Sequence, residues 1–195
     1  MEMNSIKLKM KNVFKRYGYY MLLGVMLIGV VLTIVLVGAN GVKKSNVDST
    51  PTSSSITPYM PVLNASIYKG YYGDELVYNS TLKQWETHNG IDFTAASGSK
   101  VYSILDGVIV DVYSNILEGS VVVVEHADGI VSTYGSLDEN LSVKEGDRVN
   151  RGQELGSIST TSSSEIDAGA HLHFAMTDNG NKIDPAAYLN IQTKW

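Results

Sequence analysis

The chain has no cysteine. No disulfide framework can staple it, and a folded part must be held by its own core, with help from a metal ion if one is bound. A basic stripe is also missing. Residues 1–39 carry five Lys/Arg against the single acid Glu2, a net of +4; the whole chain is −5, so the remainder is −9. A surface that acidic offers no track for a phosphate backbone, which excludes nucleic acid as a partner. Beyond the N-terminal region no stretch shows the period of an amphipathic helix three turns long. Histidine is scarce, with four in 195 residues, so any grouping of them is informative.

One absence lies inside the N-terminal region. From Tyr19 to Ala39 there is no charged residue, and a helix of that length, at 1.5 Å per residue, spans about 31 Å, enough for the hydrocarbon core of a bilayer. Lys7, Lys9, Lys11, Lys15 and Arg16 precede it, against Lys43 and Lys44 after it. The positive-inside rule then predicts a cytoplasmic tail over 1–18, a membrane-spanning helix over 19–39 and an extracytoplasmic remainder. A cleaved signal peptide is the competing expectation, because Val37-Gly38-Ala39 supplies small residues. The apolar run is longer than the 7–15 residues usual for such a signal, which favours an anchor. Residues 40–61, rich in Ser, Thr and Pro, predict an extended tether that gives the folded part reach from the membrane.

Over 62–195 short β-type runs alternate with Gly and Asp turns, which predicts an all-β domain with an antiparallel sheet. Val121-Val122-Val123-Val124-Glu125 reads as a central strand buried on both faces. Ser159–Ser164 reads as a loop, and loops beside a site commonly line its cleft. His126 reads as a strand-end residue with a structural hydrogen bond. The rings Tyr68, Tyr71, Tyr72, Tyr78 and Trp85 could form an aromatic contact surface, but are expected mostly to fill the domain's own core.

The chemistry centres on Ala170-His171-Leu172-His173-Phe174. In a strand, His171 and His173 share one face while Leu172 and Phe174 pack on the other. His88-Asn89-Gly90-Ile91-Asp92 adds a histidine and a carboxylate on either side of an Asn-Gly turn. Two imidazoles and a carboxylate suit a zinc ion that keeps a fourth position for water. His88, Asp92 and one of His171/His173 are the candidate ligands. The other histidine of the pair would then stand beside the bound water as general base.

These residues carry a resemblance. His88-x-x-x-Asp92, Val123-x-Glu125-His126-x-x-Gly129-x-x-Ser132-x-Tyr134, Glu145-Gly146-Asp147-x-Val149-x-x-Gly152-Gln153, His171-Leu172-His173-Phe174 and Asn179-Gly180-x-x-Ile183-Asp184-Pro185-x-x-Tyr188-Leu189 resemble the lysostaphin-type (LytM) domain of bacterial envelope zinc endopeptidases. The resemblance implies Zn2+ held by His88, Asp92 and His173, His171 acting on the water, and peptidoglycan peptide as substrate. One position departs from the family pattern. Where active members carry a catalytic histidine in Tyr-x-His-Leu, this chain has Tyr134-Gly135-Ser136-Leu137. A neutral serine cannot replace an imidazolium donor to an oxyanion, and loss of one such group costs about 10²–10³ in turnover.

The layout of basic tail, single membrane helix, tether and one LytM domain is similar to the stage II sporulation protein Q family of endospore-forming bacteria. That similarity implies a place in the forespore membrane during engulfment, with docking across the intermembrane space onto a mother-cell protein, stage III sporulation protein AH. Three expectations follow: a zinc-retaining docking module, a working peptidoglycan endopeptidase, or a fold whose histidines hold no metal. Ser136 favours the first over the second, and the intact ligand set counts against the third.

Overall fold

The computed structural model describes residues 57–192 and, before them, only Met26, which is helical. Apart from Met26, the segments 1–18 and 19–39 and most of the tether lie outside the described residues, and with them the expected membrane span. Among the described residues no helix is long and apolar enough to cross a membrane.

Among the described residues twelve strands follow one another: β1 (Ser66–Lys69), β2 (Tyr72–Asn79), β3 (Gln84–His88), β4 (Ile91–Thr94), β5 (Lys100–Tyr102), β6 (Gly107–Asn115), β7 (Gly119–His126), β8 (Ile130–Leu137), β9 (Arg148–Val149), β10 (Glu154–Ser157), β11 (His171–Asp178) and β12 (Asn181–Ile183). Within residues 57–192 the α-helix α1 (Pro185–Leu189) is five residues long. Asp184 starts it by accepting from the Ala186 amide at 2.8 Å, with proline at the first helical position, where no amide is needed. The all-β expectation holds, and so does the lack of a long helix among the described residues.

Eight strands form one sheet in the order β1-β4-β11-β8-β7-β6-β9, with β12 added beside β11. Every pairing in it is antiparallel. Two small ribbons, β10-β5 and β2-β3, complete the domain. The valine run lies on β7 in the interior of the sheet, as its unbroken apolar character required. Val122 and Val124 join the main core, while Val121 is buried outside that core and lines a groove. The turn from β7 to β8 places Asp128 at φ 59° and Gly129 at φ 78°, left-handed conformations that Asp and Gly accept readily.

The core lies on the face of the sheet opposite the histidines. Leu172, Phe174 and Met176 of β11, Ile91 and Phe93 of β4, and Tyr134 of β8 are all at most 1% exposed. Phe174 is the hub, with ring centroids 5.2 Å from Tyr134 and 6.3 Å from Phe93. Burial of each such side chain is worth about 1.5–3 kcal/mol, so β11 is fixed between β4 and β8 by its own apolar half. His126 closes β7 as expected, with Nδ1 donating to the Asp106 carbonyl at 2.9 Å and Nε2 2.7 Å from the Ser132 hydroxyl. Tyr59 donates its amide to Ile104 and the Pro61 carbonyl accepts from Tyr102, so the chain is bonded to the domain from Tyr59 onward.

The aromatic residues before His88 depart from expectation. Tyr68, Tyr78 and Trp85 are exposed, Tyr71 and Tyr72 are half-buried, and none belongs to the core. The cause is architectural: β2 and β3 pair only with each other, so the ring of Trp85, packed edge-on against Tyr78 at 5.6 Å, remains 66% exposed.

Candidate metal centre

Register brings the two histidine motifs together. On β11, His173 pairs with Asp92 of β4 on one side and with Gly135 of β8 on the other. His88 ends β3, and Asn89-Gly90 carries the chain directly into β4. Segments about 80 residues apart in sequence thereby deliver His88, Asp92 and His173 to one point. His173 Nδ1 lies 2.9 Å from Asp92 Oδ1, and His88 Nε2 lies 3.2 Å from the same oxygen.

A fourth group stands with them. The Glu165 carboxylate reaches His88 Nε2 at 3.3 Å, His173 Nδ1 at 3.3 Å and His171 Nε2 at 3.4 Å. The donor atoms of His88, Asp92, Glu165 and His173 all lie within 4.8 Å of one another. Glu165 was not among the expected ligands. Ser162 and Ser164 of the expected Ser159–Ser164 loop do line the cleft, but no fixed spacing ties a carboxylate beside that loop to a strand histidine, so Glu165 carries no motif. Sequence proximity does not single it out either, since Asp167 stands nearer to His171 than Glu165 does.

The remaining ring nitrogens fix the tautomers. His88 Nδ1 donates to the Gly70 carbonyl at 2.6 Å, so once the ring is neutral Nε2 presents its lone pair to the cluster. His171 Nδ1 donates to the Gly169 carbonyl at 2.8 Å, which likewise frees Nε2. Such second-layer hydrogen bonds are the usual means of orienting a metal-binding imidazole. His171 is 1% exposed and touches the cluster through Glu165, so it stands beside the three expected ligands, as a group acting on a bound water would.

The electrostatics are those of a site built for positive charge. Burial pulls the His173 pKa down, but Asp92 and Glu165 outweigh it and raise it to about 10. His88 is raised to about 9 by the same two carboxylates against the same opposing burial. His171 is raised by Glu165, again against burial. Burial would raise the acids, yet His173 and His88 hold Asp92 below the carboxylate range, and the three histidines hold Glu165 below it too. Two buried atoms of the cluster, His88 Nε2 and Asp92 Oδ2, have no well-formed hydrogen bond. Buried polar atoms are seldom left so, and a cation between them would satisfy both. The residues present therefore fit a divalent ion, and imidazole with carboxylate is a donor set suited to zinc.

Ser136 lies elsewhere. It follows Gly135 on β8 with φ 61°, is fully buried, and its hydroxyl has no partner among the described residues. It does not line the groove of about 540 Å³ that opens onto the cluster between the β2–β3 and β6–β7 turns, whose walls include Leu82, Leu117, Val121, Glu165 and His173.

Residues 86–185 match the model of peptidase family M23, a family of zinc metallopeptidases. Stage II sporulation protein Q of Bacillus subtilis (strain 168) is 31% identical over 169 residues, which is 78% of this chain and 58% of that protein; the chain thus spans little more than half of that relative's length. Among solved structures, the SpoIIQ-SpoIIIAH pore forming complex superposes with a TM-score of 0.60 at 28% identity, over 68% of this chain and 90% of the other. The catalytic domain of the antimicrobial peptidase lysostaphin from Staphylococcus simulans gives 0.53 at 30% identity, over 65% and 93%.

Proposed function

The chain belongs to peptidase family M23, and from that premise we propose that its domain is a zinc-binding docking module of a membrane-anchored protein resembling stage II sporulation protein Q. The observation that carries the zinc is the convergence of His88, Asp92 and His173 around the bare His88 Nε2 and Asp92 Oδ2. When bound, the ion would supply a Lewis acid and a water of lowered pKa. Of the chain's own residues, Gly70 sets the His88 tautomer, Gly169 sets that of His171, and the β4–β11 register holds Asp92 against His173.

Docking is favoured over hydrolysis because Ser136 stands where the family pattern has a catalytic histidine, and its buried hydroxyl lines no part of the groove. Relatives supply the partner class, since a neighbouring structure is a complex with SpoIIIAH. Under this proposal the charge-free segment 19–39 anchors the protein in the forespore membrane with its N-terminus inside. The domain meets a protein like stage III sporulation protein AH in the intermembrane space.

Cleavage of peptidoglycan cross-bridges is the alternative. It draws support from the complete ligand set, from His171 beside it and from the groove that reaches it. The full chain in detergent, loaded with zinc, separates the two. Docking predicts a stable complex with the partner's external domain and no new amine termini on incubation with peptidoglycan. Zinc-dependent release of amine termini without complex formation would overturn it.

A further inference from the structure

Glu165 is the residue of the cluster that no motif accounts for, and its position is held from several directions. The segment around it is tied to the β6–β7 turn: the Ser162 and Ser164 hydroxyls donate to the Leu117 carbonyl at 2.8 and 2.7 Å, and the Ser163 amide donates to Ile116. It is tied also to the β2–β3 ribbon, where Asn79 Nδ2 donates to the Ser164 carbonyl at 3.2 Å and the Asp167 amide donates to Thr81 Oγ1 at 3.2 Å. The loop is thus strapped across the mouth of the site, with one carboxylate pointing inward and only 11% of its side chain exposed.

Four side chains bring donor atoms within 4.8 Å of one another, and the carboxylate–imidazole distances among them compare with those of a four-ligand shell. Four donors at about 2.0–2.1 Å from a common zinc ion stand about 3.3–3.4 Å apart in a tetrahedron. Asp92 Oδ1 lies 3.2 Å from His88 Nε2 and 2.9 Å from His173 Nδ1, and the Glu165 carboxylate meets the same two nitrogens at 3.3 Å, Oε1 toward His88 and Oε2 toward His173. Two carboxylates and two neutral imidazoles also cancel the charge of a divalent ion, which a buried site requires. Closed shells of four protein ligands mark structural zinc sites, whereas catalytic ones keep a position for water.

We infer that Glu165 is a fourth protein ligand, which the Ser162–Asp167 strap swings over the His88–Asp92–His173 triad to fill the place of the hydrolytic water. The inference rests on the zinc reading above and deepens it: the site is closed as the chain folds, and water or a substrate carbonyl reaches the ion only if the strap lifts.

Cobalt(II) titrated into the full chain, with visible absorption as the readout, tests this. The wild type should bind one ion with a four-coordinate spectrum that added acetate leaves unchanged. Glu165→Ala should bind at least about tenfold more weakly, and its spectrum should shift on addition of acetate, which fills the opened position. Glu165→Gln, which keeps the side chain's shape, should weaken binding in the same direction and guards against a folding defect. Unaltered affinity in both variants, or a wild-type spectrum as responsive to acetate as that of Glu165→Ala, would overturn the role of Glu165 while leaving the metal site standing. A wild type that binds no cobalt would overturn both.

Discussion

Gly90 lies directly beneath the His173 imidazole. A methyl group built at Gly90 would come within 2.8 Å of His173 Nε2 and 2.8 Å of the Phe174 carbonyl oxygen. The ring nitrogen belongs to a side chain that can tilt; the carbonyl belongs to the ladder of β11 and cannot. Close approach of β4 to β11 therefore depends on the missing side chain, and the same contact holds the His173 ring with Nδ1 toward Asp92.

Gly90→Ala is expected to push His173 off Asp92. Overpacking of this kind costs about 1–3 kcal/mol, and zinc affinity should fall together with stability. Urea melts and zinc titrations on the same sample measure both. A variant that melts earlier but binds zinc as tightly as wild type would show that the contact serves packing alone.

Zinc binding should release protons. In the metal-free protein His88 and His173, with pKa values raised to about 9 and 10, are both protonated at neutral pH, whereas a metal-bound imidazole must be neutral. About two protons per zinc are expected near pH 7, read by calorimetry in buffers of different ionisation enthalpy. Apparent affinity should climb with pH up to that range. The sign for stability is the reverse: raised histidine pKa values mean that the ion pairs of the metal-free protein contribute fully below about pH 6.5. That contribution is lost as pH rises through about 9 to 10. Proton release near zero would mean that the carboxylates do not charge these rings.

Ser136 adopts φ 61° and buries a hydroxyl with no partner among the described residues. The left-handed conformation costs a non-glycine residue about 1–2 kcal/mol, and an unpaired buried hydroxyl about 1–3 kcal/mol more. Glycine removes both penalties and adds an unfolded-state entropy term of about 0.5–1 kcal/mol. Ser136→Gly should therefore stabilise the domain by roughly 1 kcal/mol or more, visible as a higher urea midpoint at unchanged slope. A destabilised variant would indicate that the hydroxyl has a partner in solution.

Much of this site was legible before any coordinates. Strand alternation alone put Leu172 and Phe174 in the core and His171 and His173 on the opposite face, because a period of two leaves an apolar-flanked pair no other arrangement. The valine run announced β7, and Asn89-Gly90 announced the short passage from β3 to β4. Two features were not legible, for related reasons. Glu165 reaches the cluster through hydrogen bonds from Asn79 and to Leu117 and Thr81, long-range ties that leave no local pattern. Tyr78 and Trp85 look like core residues by composition, but whether a ring is covered depends on which layer packs over its strand. Among the described residues no further strand pairs with the β2–β3 ribbon, and these two rings stay exposed.

Metal content of the full chain, purified without chelator, is the most direct test of the account. One zinc per chain in the wild type, lost in His88→Ala and in Asp92→Ala while both variants remain folded by circular dichroism, is the predicted result. A folded wild type without zinc that takes up none on addition, or variants that retain it in full, would contradict it.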